Sequence, residues 1–259
     1  METITSAQNP KIKNLLLLQA KSQARREQWL FVVEGQRELE HCIAAGFQVR
    51  TLFVCPEITG SGAEASAPGM HIIEIPEALY RKVAYRESTE GIIAEVEYKA
   101  LSLNDLKLPE KPLIMVLEAV EKPGNLGAVL RSADAAGASA VIICDPLTDL
   151  YNPNLIRASI GAVFTVPVVA APSARVIPWL KERGIQILTA QLQDSSLYYD
   201  VDMRRGTALV MGTESTGLTD AWRQAATRHV RIPMLGRLDS LNVSVSAAIL
   251  LYEAVRQRQ

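Results

Sequence analysis

Cysteine and histidine are scarce in this chain of 259 residues, which carries three of each. Cys42, Cys55 and Cys144 stand far apart and form no CxxC pair, so neither a disulfide framework nor a structural zinc site is supported. Around His41, His71 and His229 no Ser-His-Asp or Cys-His arrangement can be read. Long apolar runs are missing too. Nothing reaches the roughly 18 residues that a transmembrane helix needs, so no membrane partner is expected. The start, METITSAQNPKIK, lacks the apolar centre of a signal peptide, which leaves the cytoplasm as the expected compartment. No GxGxxG follows the first strand of either βα series, so the dinucleotide fingerprint is absent. A GxxxxG spacing does occur at Gly212–Gly217, but Leu218-Thr219 follows where a phosphate loop needs Lys-Ser/Thr.

A net charge of −1 gives the whole molecule no preference for polyanions, yet the charge is unevenly spread. Residues 1–28 carry a net +3, and residues 222–238 hold Arg223, Arg228, Arg231 and Arg237 with no acid. Either stretch is a solvated face or a track for phosphates. Hydrophobic residues make up 48%, enough for a full core in one large or two modest domains.

The first section alternates β and α. Asn9-Pro10 opens a helix through KIKNLLLLQAKSQARREQ, with Asn9 as cap and Pro10 in the first turn. Strands are expected at Leu30–Val33, Val49–Val54, His71–Ile75 and Gly91–Val96, and helices at Arg37–Ala45 and Pro76–Ala84. Residues 60–69, GSGAEASAPG, read as a surface loop. A polar stretch at 100–111 without a clear period reads as a linker, separating domains at 1–99 and 112–259. The second section is a longer βα series. Its expected strands are Leu113–Leu117, Ala140–Cys144, Thr165–Val169, Gln186–Thr189, Thr207–Met211 and His229–Ile232. Its expected helices are Asn125–Ala136, Pro153–Ile160, Ser173–Arg183, Leu218–Ala226 and Val243–Arg258. Apolar strands separated by helices argue for a parallel sheet covered on both faces, an α/β fold.

Three stretches carry candidate chemistry. In EAVEKPGNLGAVLRSADAAG, Leu126, Val129, Leu130 and Ala133 form the buried stripe. Asn125 sits at the helix mouth, as a plain cap or a site residue, and Arg131 projects away from the stripe, towards a cleft or towards Asp134. In VMGTESTGL, Glu214 lies on a loop at a strand end, where open α/β sheets bind ligands, or else it caps the next helix. In RIPMLGRLDSLNVSVSAAILLYE, residues Asp239, Ser240 and Asn242 crowd one helix start. Ser244, Ser246, Ala247 and Ala248 then make the helix thin on one face, which suits close approach of another backbone.

Taken together, these stretches resemble, in order and spacing, the three motifs of the SpoU (TrmH-type) RNA ribose 2′-O-methyltransferases. FVVEGQRELEHCIAAG and STEGIIAEV resemble that family's substrate-binding domain, with Glu90 standing where members often carry Gln. The resemblance implies a C-terminal α/β trefoil-knot (SPOUT) domain with a parallel sheet, preceded by a small L30e-like α/β domain, and a homodimer. It implies S-adenosylmethionine as cofactor, held at Gly212, Ile232 and Leu241, and a catalytic set of Asn125, Arg131, Glu214, Ser240 and Asn242. Large-subunit ribosomal RNA is the first substrate class implied and transfer RNA the second. A knotted module that binds RNA without catalysis is the alternative from another class.

Overall fold

The structure, a computed structural model, describes residues 2–60, 69–85, 90–146, 149–213 and 216–259. The expected 60–69 loop therefore lies almost wholly outside the described residues, as does Glu214. The chain divides into two compact units, one of Met1–Lys99 with Asp149–Thr165, the other of Ala100–Thr148 with Val166–Gln259.

The first unit is built on a five-stranded mixed sheet. Its strands are β1 (Glu2–Thr3), β2 (Leu30–Glu34), β3 (Val49–Val54), β4 (His71–Glu74) and β5 (Ile92–Glu97), in the order β1-β4-β3-β5-β2. Its helices are α1 (Pro10–Ala20), α2 (Ser22–Gln28), α3 (Gln36–Ala44), α4 (Pro56–Thr59), α5 (Glu77–Val83), α7 (Pro153–Ser159) and α8 (Ala162–Thr165). Ile12, Leu15 and Leu18 of α1 bury their stripe against Val32, Phe53 and Ile73 of the sheet, each fully apolar burial contributing about 1.5–3 kcal/mol. Asn9 caps α1 as expected, its Oδ1 accepting from Lys11 N at 2.9 Å. The single helix expected to run on to Gln28 is two, because Lys21 takes an extended conformation. The break frees the last carbonyls of α1, and Arg25 Nη1 donates to Leu18 O and Gln19 O. Glu90 caps α3 from a distance: its Oε2 accepts from Gln36 N at 2.6 Å, where Gly35 has no side chain to do so.

Residues 149–165 pack within this first unit, although the sequence places them in the middle of the second βα series. A buried Arg25–Asp149 ion pair at 2.6 Å holds one end. Phe31 stacks on Tyr151 at 4.2 Å between ring centres, and Phe47 meets Phe164 edge-on at 5.3 Å. The strand expected at Thr165–Val169 is accordingly helical up to Thr165. Pro167 delays the strand to Val168–Ala171.

The second unit is a seven-stranded, wholly parallel sheet. Its strands are β6 (Leu113–Glu118), β7 (Ala140–Cys144), β8 (Val168–Ala171), β9 (Gln186–Ala190), β10 (Ser196–Leu197), β11 (Thr207–Met211) and β12 (Arg228–Arg231). They lie in the order β10-β12-β9-β11-β6-β7-β8. Helices α6 (Pro123–Ala135), α9 (Ser173–Glu182), α10 (Asp220–Ala225) and α11 (Val243–Arg258) complete it. Ile114, Val116, Ile142, Ile187, Ala208 and Val210 of the sheet meet Val176 and Leu180 of α9 and Trp222 of α10 in one core. Residues 100–111 are not a bare linker: Leu103 is buried in this core, and Leu101, Leu106 and Leu108 pack against it. Helix α6 starts two residues before Asn125, with Lys122 as cap and Pro123 in the first turn. Asn125 is therefore not the N-cap but sits inside the helix's opening turn. Helices α6 and α11 pack against each other.

Candidate functional site

The carboxyl ends of β9, β11 and β12 open into one cavity of about 420 Å³, within the usual range for small-molecule sites. Parallel strands end on the same side, so the loops that leave them share a rim. Three loops build the walls. Ala190 and Gln191 come from the end of β9, Gly212, Thr213, Gly217 and Leu218 from the loop after β11, and Arg231 from the end of β12, with Ile232, Ser240 and Leu241 from the chain that leads on to α11.

The loop after β11 is folded on itself. Gly217 N donates to Thr213 O at 3.1 Å, Thr216 N donates to Thr213 Oγ1 at 3.0 Å, and the two threonine hydroxyls lie 2.7 Å apart. The fold brings Gly217 onto Gly212 so closely that a Cβ on Gly212 would lie 2.2 Å from Gly217 O and 2.6 Å from Leu218 N. Glycine is required at 212 by this approach of the chain to itself. Gly217 adopts φ +68°, a conformation that costs side-chain-bearing residues.

The third loop ends on Asn242, which caps α11. Its Oδ1 accepts from Ser244 N at 2.9 Å and from Ser244 Oγ at 2.6 Å. Its amide nitrogen is turned the other way and donates to Asn125 Oδ1 at 3.1 Å, bridging 117 residues of chain. The openings of α6 and α11 are thus tied side chain to side chain. Ser240 Oγ donates to Asp239 Oδ1 at 3.3 Å on the same rim. Arg231 Nη1 donates to Ser195 O, and Arg223 lies 3.5 Å from Asp220, so half of the 222–238 arginines have a partner in the unit.

Of the eight residues singled out from the sequence, Gly212, Ile232, Ser240 and Leu241 line the cavity. Asn125 and Asn242 meet each other. Arg131 stands exposed on α6, with no ion pair among the described residues. Gln191 is a site residue that the motifs do not mark. It lines the cavity, and its Oε1 is buried without a hydrogen-bond partner among the described residues, while its Nε2 is committed to Gln193 O at 2.9 Å. Its place just beyond the end of β9, matching that of Gly212 after β11, is the signal that could have found it. Burial pushes the Cys144 thiol up to about 12 and the Cys42 thiol likewise, so neither supplies a thiolate at neutral pH.

These features define a class: an α/β protein with a parallel sheet and a small-molecule cavity at its strand ends. Residues 112–252 match the SpoU rRNA Methylase family, and residues 9–94 match the MRM3-like substrate binding domain. The chain belongs to the SpoU rRNA methylase family. A 23S rRNA (uridine(2479)-2′-O)-methyltransferase of Streptomyces viridochromogenes is 34% identical over 88% of this chain and 83% of its own. The 23S rRNA (guanosine(2553)-2′-O)-methyltransferase RlmP of Bacillus subtilis is 29% identical over 97% of this chain and 98% of its own. Among solved structures, the AdoMet-bound rRNA methyltransferase of Sinorhizobium meliloti superposes with a TM-score of 0.90 at 31% identity, covering 98% of this chain and 97% of that one.

Proposed function

We propose that this chain is an S-adenosylmethionine-dependent methyltransferase acting on a ribose 2′-hydroxyl of large-subunit ribosomal RNA. The observation that carries the reading is the strand-end cavity lined by Gly212, Ile232, Ser240 and Leu241, with the Asn125–Asn242 contact linking the two flanking helices. The cavity fits an adenosine-bearing cofactor. Ile232 and Leu241 offer apolar walls, Gly212 and Gly217 have no side chains, and the buried Gln191 Oε1, without a donor among the described residues, can accept from an amine or ribose hydroxyl. Bound there, S-adenosylmethionine supplies the electrophilic methyl group.

The chain's own residues divide the remaining work. Asn125 and Asn242 hold the mouths of α6 and α11 in register. Ser240 orders the loop before α11, and Glu214, which lies outside the described residues, is assigned to orienting Arg131 or the loops. Arg131 is exposed on α6 without an ion pair among the described residues, which supports assigning it the grip on an RNA phosphate. A guanidinium stays charged and accepts no proton. Arg131 therefore acts by lowering the pKa of the ribose hydroxyl, with a phosphate or water taking the proton. The first unit serves as the RNA-binding unit.

In the same reading the C-terminal domain forms a deep trefoil knot, and α11 serves a homodimer. Val245 and Tyr252 are 47% and 50% exposed on a helix whose other side is buried, leaving apolar surface for a second copy. No helix among the described residues is long and apolar enough to cross a membrane, and we assign the protein to the cytoplasm, with the ribosomal RNA.

The test is transfer from methyl-labelled S-adenosylmethionine to ribosomal RNA, followed by nucleoside digestion. Label is expected in 2′-O-methylribose. Label in the base fraction, or in transfer RNA alone, overturns the assignment, and cofactor binding without transfer to any RNA makes the protein a binding module. Arg131→Ala is expected to lower transfer by roughly a hundredfold or more with cofactor affinity retained.

A further inference from the structure

Glu118, the last residue of β6, is 4% exposed, a costly place for a carboxylate. Among the described residues no cation pairs with it. Instead both oxygens turn to one residue 101 positions along the chain. Glu118 Oε2 accepts from Thr219 N at 2.8 Å, and Glu118 Oε1 accepts from Thr219 Oγ1 at 2.7 Å. The hydroxyl of Ser173 reaches Oε1 only at a longer 3.5 Å. Thr219 precedes α10 as its N-cap, makes no side-chain cap bond to the helix among the described residues, and donates its hydroxyl to Glu118.

Thr219 is also where the cavity wall ends. Leu218 and Gly217, just before it, line the cavity, and Gly217 presses on Gly212, where the wall leaves β11. The loop therefore has two fixed ends, one in the sheet through β11 and one on the Glu118 carboxylate at the end of the adjacent strand β6. Helix α10 itself has a separate anchor. Trp222 is fully buried, and its Nε1 donates to Ser173 Oγ at 2.9 Å, while that hydroxyl donates to Asp145 Oδ2 at 2.6 Å. Body of the helix and end of the loop are held by different short hydrogen bonds, and the Ser173 hydroxyl touches the loop's anchor only through its 3.5 Å approach to Glu118 Oε1.

We propose that Glu118 is a positioning residue for the methyltransferase site, fixing the wall that Gly212, Gly217 and Leu218 present to the cofactor; this rests on the function proposed above. A neutral cap would hold a helix start. A carboxylate that accepts two bonds from one residue holds a point, and the point it holds borders the cavity.

The experiment compares Glu118→Gln with Trp222→Phe in the full chain. Glutamine keeps the shape but offers one acceptor in place of two, so one Thr219 donor faces an amide nitrogen. Glu118→Gln is expected to raise the calorimetric Kd for S-adenosylmethionine roughly tenfold or more, the loss of one charge-assisted hydrogen bond. It is also expected to speed hydrogen exchange at the Gly217 and Thr219 amides, while kcat at saturating cofactor and KM for RNA stay as in the wild type. Trp222→Phe should lower Tm and leave cofactor affinity unchanged. Thr219→Ser retains both donors and should bind cofactor as the wild type does, and Thr219→Val should fall between. Should Glu118→Gln fail to fold, the Thr219→Ser and Thr219→Val pair decides the matter alone. Unchanged affinity and exchange in a folded Glu118→Gln, or equal affinity in the two Thr219 variants, overturns the proposal. A wild-type protein that binds no S-adenosylmethionine sinks the methyltransferase reading instead, and the exchange rates still judge the anchoring.

Discussion

Replacing Gly212 by alanine adds a single methyl group, and the structure says where that methyl goes. Gly212 has no positive φ, so the backbone accepts alanine without strain, and the cost is steric alone. The new Cβ would stand 2.2 Å from Gly217 O, 2.3 Å from Gly217 C and 2.6 Å from Leu218 N. All three are main-chain atoms, which cannot swing away as a side-chain tip would. The wall must retreat by about 1 Å, and overpacking of this kind costs roughly 1–3 kcal/mol. In a protein of this size each kcal/mol lowers Tm by about 2–4 °C, so a fall of roughly 2–12 °C is expected. Because the displaced atoms wall the cavity, cofactor affinity should fall with it. Gly124→Ala is the internal control: a methyl group there would have nothing within 4 Å, and alanine in a helix gains about 0.5–1 kcal/mol over glycine. Thermal melting by circular dichroism and cofactor calorimetry read both variants. A Gly212→Ala protein with wild-type Tm and wild-type affinity refutes the reasoning.

Two further predictions concern the first unit. Arg25→Ala leaves Asp149 buried without its partner and strips two α1 carbonyls of their donor, so a loss of about 3–5 kcal/mol is expected in denaturant unfolding; a loss no larger than that of a surface pair would contradict it. Glu95 on β5 is held above the ordinary carboxylate range by burial, which its Thr51 and Asn14 hydrogen bonds offset only in part. The folded chain therefore keeps a proton that the unfolded chain releases, and this carboxyl costs stability as pH rises from 4.5 through its raised value. Glu95→Gln should raise Tm at neutral pH and leave it nearly unchanged at about pH 4; equal gains at both would rule out the desolvation account.

Much of the second unit is legible in the sequence because its strands are short, apolar and bounded by turn residues. Ala140–Cys144, Thr207–Met211 and Val243–Arg258 lie where the pattern puts them. Ambiguity arises where an apolar run has no period. GAVFTVPVVAA serves a helix and a strand equally, and only Pro167 marks the division. Asn125 has the look of a cap because Pro123-Gly124 resembles a turn, whereas proline is favoured in the first turn of a helix.

The sequence by itself determined the alternation of strands and helices, the parallel sheet, the three motif stretches and, through them, the family. These are matters of residue type and local period, which neighbours along the chain decide. Only the tertiary structure decided that Asn242 meets Asn125, that Glu118 holds Thr219, that Arg25 claims Asp149 for the first unit and that Gln191 faces the cavity. Each pairs groups from distant or separate elements, and one-dimensional periodicity carries no information about which strand ends share a rim. The geometry at Gly212 shows the same division most clearly. Composition marks a glycine in a loop, but the carbonyl that makes it necessary is brought there by the fold.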